Sequence, residues 1–190
     1  IINDAIIIDP GGNFDYTCEY LEEHNLSLIA IFNTHAHFDH IVEVAELVRE
    51  YKCPFYLHSK DERLLKSANF YMKLFEMEKK IAIPTVDFYL DKLKSPIRIG
   101  DFSIEVMSTP GHTKGSVSFL IGQNLFTGDT ILKGTLGRVD LPGANKDELK
   151  ESIGMISKLP SDLIIYPGHG DSTTIGEELT SNEHLARLLA

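Results

Sequence analysis

Thr34-His35-Ala36-His37-Phe38-Asp39-His40 puts four potential metal ligands, His35, His37, Asp39 and His40, into six residues. Four such side chains cannot converge on one point from a continuous helix or strand, because those elements turn successive side chains to different faces. A tight loop between a strand and a helix N-terminus solves the geometry. His35 and His37 then point to one side, and Asp39 and His40 to the other. The flanks agree with this. Leu28 to Phe32 is an apolar run that breaks at Asn33, and Ile41, Val44, Ala45, Leu47 and Val48 follow at helical spacing over 41–51, with Asp39 where an N-cap would sit.

The same pattern recurs along the chain: an apolar run, a small residue or turn, then His or Asp. Thr109-Pro110-Gly111-His112, Thr127-Gly128-Asp129 and Pro167-Gly168-His169 all follow it, and strand ends are where α/β folds place reactive groups. Imidazole and carboxylate donors without thiolate suit zinc first, with iron and manganese also accepted. His35, His37 and His112 supply three nitrogens for a first cation. Asp39, His40 and His169 hold a second, and the two oxygens of Asp129 bridge both. Bridged cations stand about 3.5–4 Å apart, lower the pKa of a shared water toward neutrality and polarise a carbonyl. Two divalent ions are therefore the expected cofactor, with Asp39 also orienting the attacking water. A lone histidine at a strand end is more often a hydrogen-bonded structural residue, and His24, His58 and His184 are assigned to that class. His58 is placed at the surface or behind the ligands.

Strands are also expected at Ile6–Ile8, stopped by Asp9-Pro10-Gly11-Gly12, at Phe55–Leu57, at Phe102–Val106 and at Leu163–Tyr166, with a hairpin over 117–126 turning at 122–124. Helices are expected over 15–24, 59–80, 147–157 and 175–189. Helices alternating with strands, an antiparallel hairpin and no phosphate-cradling glycine loop after the first strand favour an α/β sandwich with helices on its outer faces, built as one domain over 1–190. The net charge of −10, from 18 basic and 28 acidic residues, weighs against nucleic acid as substrate. No apolar run approaches the ~20 residues of a membrane span. Cys18 and Cys53 fit no disulfide or metal spacing, so a soluble, cytoplasmic protein acting on a small molecule is expected, its oligomeric state unreadable. Ile1 opens the chain without a Met inside what reads as a strand, so preceding residues are expected.

These motifs, in this order, resemble the metallo-β-lactamase superfamily over nearly the whole chain. Thr34–His40 resembles its signature loop; 109–116, 127–130 and 166–170 resemble its later motifs. The resemblance implies a four-layer αββα sandwich with the metals at one edge and the same seven ligands. Dizinc β-lactamases of class B generally place Cys at the second metal, flavodiiron proteins have Glu where His37 stands, and nuclease branches carry further domains. Gly137-Arg138-Val139-Asp140-Leu141-Pro142-Gly143 and 173–178 are similar to small glyoxalase-II-like hydrolases, related to enzymes that cleave the thioester S-D-lactoylglutathione. Full-length glyoxalase II adds a helical domain whose basic residues hold glutathione; here one helix with a single Arg187 follows His169, so glutathione is not the expected substrate by this route. Arg138 is the candidate for gripping a substrate carboxylate, with an ion pair to Asp140 as the structural alternative.

The leading expectation is a binuclear metal-dependent hydrolase of a thioester or ester. The alternative is a mononuclear-iron oxidoreductase like the persulfide dioxygenases, which share the fold and a Gly-Arg-X-Asp segment. A non-catalytic metal-binding protein is the third class.

Overall fold

The apolar run ahead of the histidine loop is a strand, β2 (Leu26–Phe32), paired in parallel on one side with β1 (Asn3–Ile8) and on the other with β3 (Phe55–Leu57). These elements come from a computed structural model that describes residues 3–77 and 80–190. The chain divides into two compact units, Ile1–Lys94 with Arg98–Phe102, and Ser95–Ile97 with Ser103–Ala190.

In the first unit β4 (Phe88–Tyr89) completes a parallel sheet of order β1-β2-β3-β4. A bulge shapes β2: Ala5 pairs Leu28 but Ile6 pairs Ala30, so Ile29 is the extra residue. The bulge lets Leu28 and Ile31, three apart, share one core with Leu21 of helix α1 (Phe14–Glu23) and with Val44 and Leu47 of helix α3 (Val44–Tyr51). Asn13 caps α1 by accepting the Tyr16 N–H. Phe32, Tyr56 and Phe88 stack as a ladder across β2, β3 and β4.

The other strands, in the second unit apart from Arg98–Ile99 and Phe102, are β5 (Ile97–Ile99), β6 (Phe102–Ser108), β7 (Val117–Ile121), β8 (Asn124–Gly128), β11 (Ile164–Pro167) and β12 (Thr173–Thr174). They form a sheet of order β12-β11-β8-β7-β6-β5, beside a two-residue pair, β9 (Ile131–Leu132) with β10 (Thr135–Leu136). The β7–β8 hairpin is present, with Asn124 inside β8 rather than in the turn. β6 and β8 both run antiparallel to β7, and β11 runs parallel to β8. The C-terminal ends of β6, β8 and β11 therefore leave the same edge of the sheet. Helices α6 (Lys146–Ile156), α7 (Ile175–Ser181) and α8 (Glu183–Leu189) share a core with the strands, packing Leu149, Ile153, Ile156, Ile175 and Leu185 with Leu125 of β8 and Ile165 of β11.

Three helix expectations need correction. The helix expected from Ile41 begins earlier, as α2 (Phe38–Ile41), and restarts as α3; His37 is its N-cap residue and Asp39 lies in its first turn. The helix expected over 59–80 is a 3₁₀ turn (Ser59–Asp61), α4 (Glu62–Lys66) and α5 (Ala68–Leu74), because Ser67 leaves helical geometry (φ −95°, ψ 2°). Residues 78–79 of that span lie outside the described residues. The C-terminal helix is broken at Asn182, whose side chain caps α8 through the Leu185 N–H. Among the described residues, no helix is long and apolar enough to cross a membrane.

Candidate metal centre

In the first unit, three hydrogen-bonding side chains shape the loop after β2. Asp9, just past β1, accepts the Thr34 N–H (2.7 Å), the Thr34 hydroxyl and the Nδ1–H of His40 (3.1 Å). Asn33, fully buried, donates to the carbonyls of His35 (3.3 Å) and His40 (2.8 Å), clamping both ends of the ligand run. Asp61, 1% exposed, accepts the Ala36 N–H at 3.0 Å. The backs of these loops touch: a Cβ on Gly11 would stand 2.0 Å from the Asp39 carbonyl oxygen, so only glycine admits the approach.

Held in this way, the histidines gather. The rings of His35 and His40 are 4.1 Å apart between centroids, and those of His35 and His37 are 4.8 Å apart at right angles. Asp9, His35 and His40 each bring a ligand-type atom within 4.8 Å of the others. Asp9 orients this group. The Thr34 hydroxyl gives its proton to Asp9, so its oxygen accepts the Nδ1–H of His35 at 3.0 Å, and His40 donates Nδ1–H to Asp9 directly. Both rings thus carry their proton on Nδ1 and present Nε2 as the basic nitrogen, the tautomer a cation requires. Asp39 is partly exposed on the first turn of α2.

The second unit carries the other three. His112 follows β6, Asp129 follows β8 and His169 follows β11, at the shared sheet edge, and the Gly168 N–H donates to the Gly128 carbonyl at 2.8 Å to hold the last two loops in register. Asp129 Oδ2 lies 3.5 Å from His112 Nε2 and 3.6 Å from His169 Nε2. Both separations are too long for hydrogen bonds. They match the ~3.4 Å between two donor atoms each ~2.1 Å from one tetrahedral cation. A single carboxylate oxygen, Oδ2, makes both approaches, rather than one oxygen to each side as expected from the sequence, so Asp129 stands at ligand spacing from both imidazoles. His112 Nδ1–H donates to the Arg138 carbonyl at 2.9 Å, which again leaves Nε2 basic. The loop carrying that carbonyl, just after β10, passes so close that a Cβ on Gly137 would lie 1.7 Å from the Asp129 carbonyl oxygen. The imidazole and carboxylate donors of both units are of the kind that hold a divalent cation.

Arg138 points outward and gives Nε and Nη2 to the Asp140 carboxylate at 2.9 and 2.8 Å. The ion pair with Asp140 is formed, and it leaves the Nη1 edge for other acceptors. His24 stacks on Tyr20, and His184 lines a shallow cavity with Arg138 and Arg187. His58 is buried rather than at the surface. Its Nδ1 accepts the Lys60 N–H and caps the 3₁₀ turn that carries Asp61, and burial lowers its pKa despite the nearby Asp91 and Asp61. Asp9, Asn33 and Asp61 were not singled out from sequence. The one signal available was position, since Asp9 and Asn33 end β1 and β2.

Comparison with known proteins agrees with this geometry. The sequence profile of the metallo-beta-lactamase superfamily matches residues 3–169, running through both units. The chain is 32% identical to the hydroxyacylglutathione hydrolase GloC of Haemophilus influenzae, over 95% of this chain and 87% of that protein. The crystal structure of BLEG-1 B3 metallo-beta-lactamase superposes with a TM-score of 0.89 at 36% identity, covering 97% of this chain and 91% of that one. TTHA1623 in a di-iron-bound form superposes at 0.81 with 35% identity, covering 93% and 87%. By sequence, by fold and by its histidine and aspartate sets, the chain belongs to the metallo-β-lactamase superfamily.

Proposed function

We propose that this chain is a metal-dependent hydrolase that cleaves thioesters, with His35, His37 and His112 holding one divalent cation, Asp39, His40 and His169 holding a second, and Asp129 shared by both. The observation that carries this reading is the Asp129 carboxylate, set between two imidazole nitrogens at ligand-to-ligand spacing. The thioester preference is supported by likeness to the GloC hydrolase. When bound, a cation pair supplies Lewis acidity, lowering the pKa of water and polarising the substrate carbonyl. The chain's own residues do the rest. Asp9, Thr34 and the Arg138 carbonyl fix three imidazole tautomers, so that Nε2 of each neutral ring is the nitrogen left for a cation. In this reading Asp39 takes the proton of the attacking water and passes it toward the departing thiolate. The free edge of Arg138 faces solvent, where it can hold a carboxylate on the thiol portion. Zinc suits these donors, and the di-iron neighbour supports iron equally.

The likeness to a B3 β-lactamase favours a second reading, in which a β-lactam carbonyl takes the place of the thioester. One experiment separates the readings. Purified protein, stripped with chelator and reloaded with zinc, iron or manganese, is assayed with S-D-lactoylglutathione, a simple acyl thioester and a chromogenic cephalosporin, with oxygen uptake followed on glutathione persulfide. The expected result is thioester turnover that falls below a hundredth on stripping and returns on reloading. Cephalosporin turnover alone, or oxygen uptake with one iron per chain, would overturn the thioesterase reading.

A further inference from the structure

The second half of α5 and the residues after it expose what a helix at a surface normally hides. Ala68 and Met72 face the core, yet Phe70, Leu74, Phe75 and Met77 are 67%, 64%, 50% and 43% exposed. Phe70 and Leu74, four apart, share one face of α5, and Phe75 and Met77 follow directly, so the exposure is concentrated in eight residues, and concentrated apolar exposure marks places where something apolar sits. This exposure also has a definite starting point. The Phe75 ring packs against that of Phe38, with centroids 5.7 Å apart, and Phe38 stands in the chain between His37 and Asp39. Phe38 itself is half-buried against the core of its unit. The apolar surface therefore begins at the ligand loop and runs outward along α5. Leu74 adjoins Phe75, and Phe70 lies four residues back from Leu74 on the same face of α5, about 6 Å at helical rise, a length that a medium-length alkyl chain covers. A bilayer is a poor occupant for a chain of net charge −10, because anionic headgroups repel it.

We infer that this face receives the apolar acyl chain of the substrate, so the thioesters cleaved are hydrophobic acyl thioesters rather than a short hydroxyacyl one. The inference rests on the thioesterase reading above and names its substrate class. The overall step is hydrolysis: water adds to the carbonyl carbon, the carbon–sulfur bond breaks, and a carboxylate and a thiol leave, with the water protons shared between sulfur and solvent.

The test uses acetyl, butanoyl, hexanoyl and octanoyl thioesters of one thiol, together with the matching alkyl thioethers, which cannot be hydrolysed. Calorimetric affinity for the thioethers and kcat/KM for the thioesters are measured on the metal-loaded protein. Each added methylene is expected to improve both about threefold to fourfold, levelling off once the chain passes Phe70. In the double variant Leu74→Ser, Phe75→Ser the gain per methylene should shrink to less than half. Tyr16→Ser, which removes an equally exposed aromatic from α1 (61% exposed), should leave it intact. Overturning results are wild-type affinity that ignores chain length, a slope unchanged in the double variant, or a concentration-dependent dimer in sedimentation that the double variant abolishes. If no thioester were turned over while thioether affinity still rose with chain length, the hydrolase reading alone would fail.

Discussion

Asp9 receives hydrogen bonds from the Thr34 N–H, the Thr34 hydroxyl and His40, although it is not one of the seven proposed ligands. Removing such a partner typically costs 10–100-fold in metal affinity. Asp9→Asn is therefore expected to weaken metal binding by roughly that factor in a chelator competition, while far-UV circular dichroism stays that of the wild type. Unchanged affinity would mean that the histidines orient themselves. Asn33 has a different task. It satisfies the His35 and His40 carbonyls together, and Asn33→Ala leaves both without this donor, so a loss of about 2–3 kcal/mol by urea unfolding is expected. His58 gives a pH dependence. Burial lowers its pKa, so the unfolded chain binds the proton more readily, and the stability from a neutral His58 is complete above the ordinary histidine pKa of about 6.5 and lost as pH falls through the lower folded value. His58→Gln should narrow the drop in melting temperature between pH 7 and pH 5; an undiminished drop would clear His58 of it. The candidate ligands stood out in sequence because each group of them closes an apolar run through a small residue or turn. Asp61 did not, since the Ala36 N–H it accepts lies 25 residues away and nothing local marks it.

Among the elements, long segments with a clear period were legible and short ones were not. The β7–β8 hairpin reads from its Gly122-Gln123 turn between apolar runs, with Gly122 at φ +60°. β4, β9, β10 and β12 have two residues each, too few to show alternation. The breaks at Ser67 and Asn182 escaped notice because both residues are tolerated inside helices by propensity alone. Tertiary contacts decide Asn182. Its side chain caps α8 and donates to the Thr135 carbonyl and to the buried Glu178, which also accepts the Gly134 N–H. Asn182→Ala should lose the cap, about 1 kcal/mol, and strand the polar groups around it, for about 3 kcal/mol together in thermal or urea unfolding. A loss under 0.5 kcal/mol would show that α7 and α8 do not depend on this junction.

For the whole molecule, the α/β class and the order of motifs were readable, because strands, helices and the hairpin alternate in a way few architectures accommodate. The all-parallel order of the first sheet was not readable, since pairing depends on contacts that periodicity does not encode. Metal binding should couple to the stability of the chain. A cation present at about a thousandfold its Kd adds about 4 kcal/mol, or roughly 10 °C in melting temperature for a protein of this size, so stripping with chelator should lower the melting temperature by about that amount. The most direct measurement is the metal content of the wild type and of Asp129→Ala, by elemental analysis of protein dialysed against metal-free buffer, with thioester turnover on the same samples. Two ions per chain in the wild type, fewer than one in the variant and turnover lost with them is the expected result. Two ions retained in Asp129→Ala with turnover intact would contradict a shared carboxylate at the centre of the site.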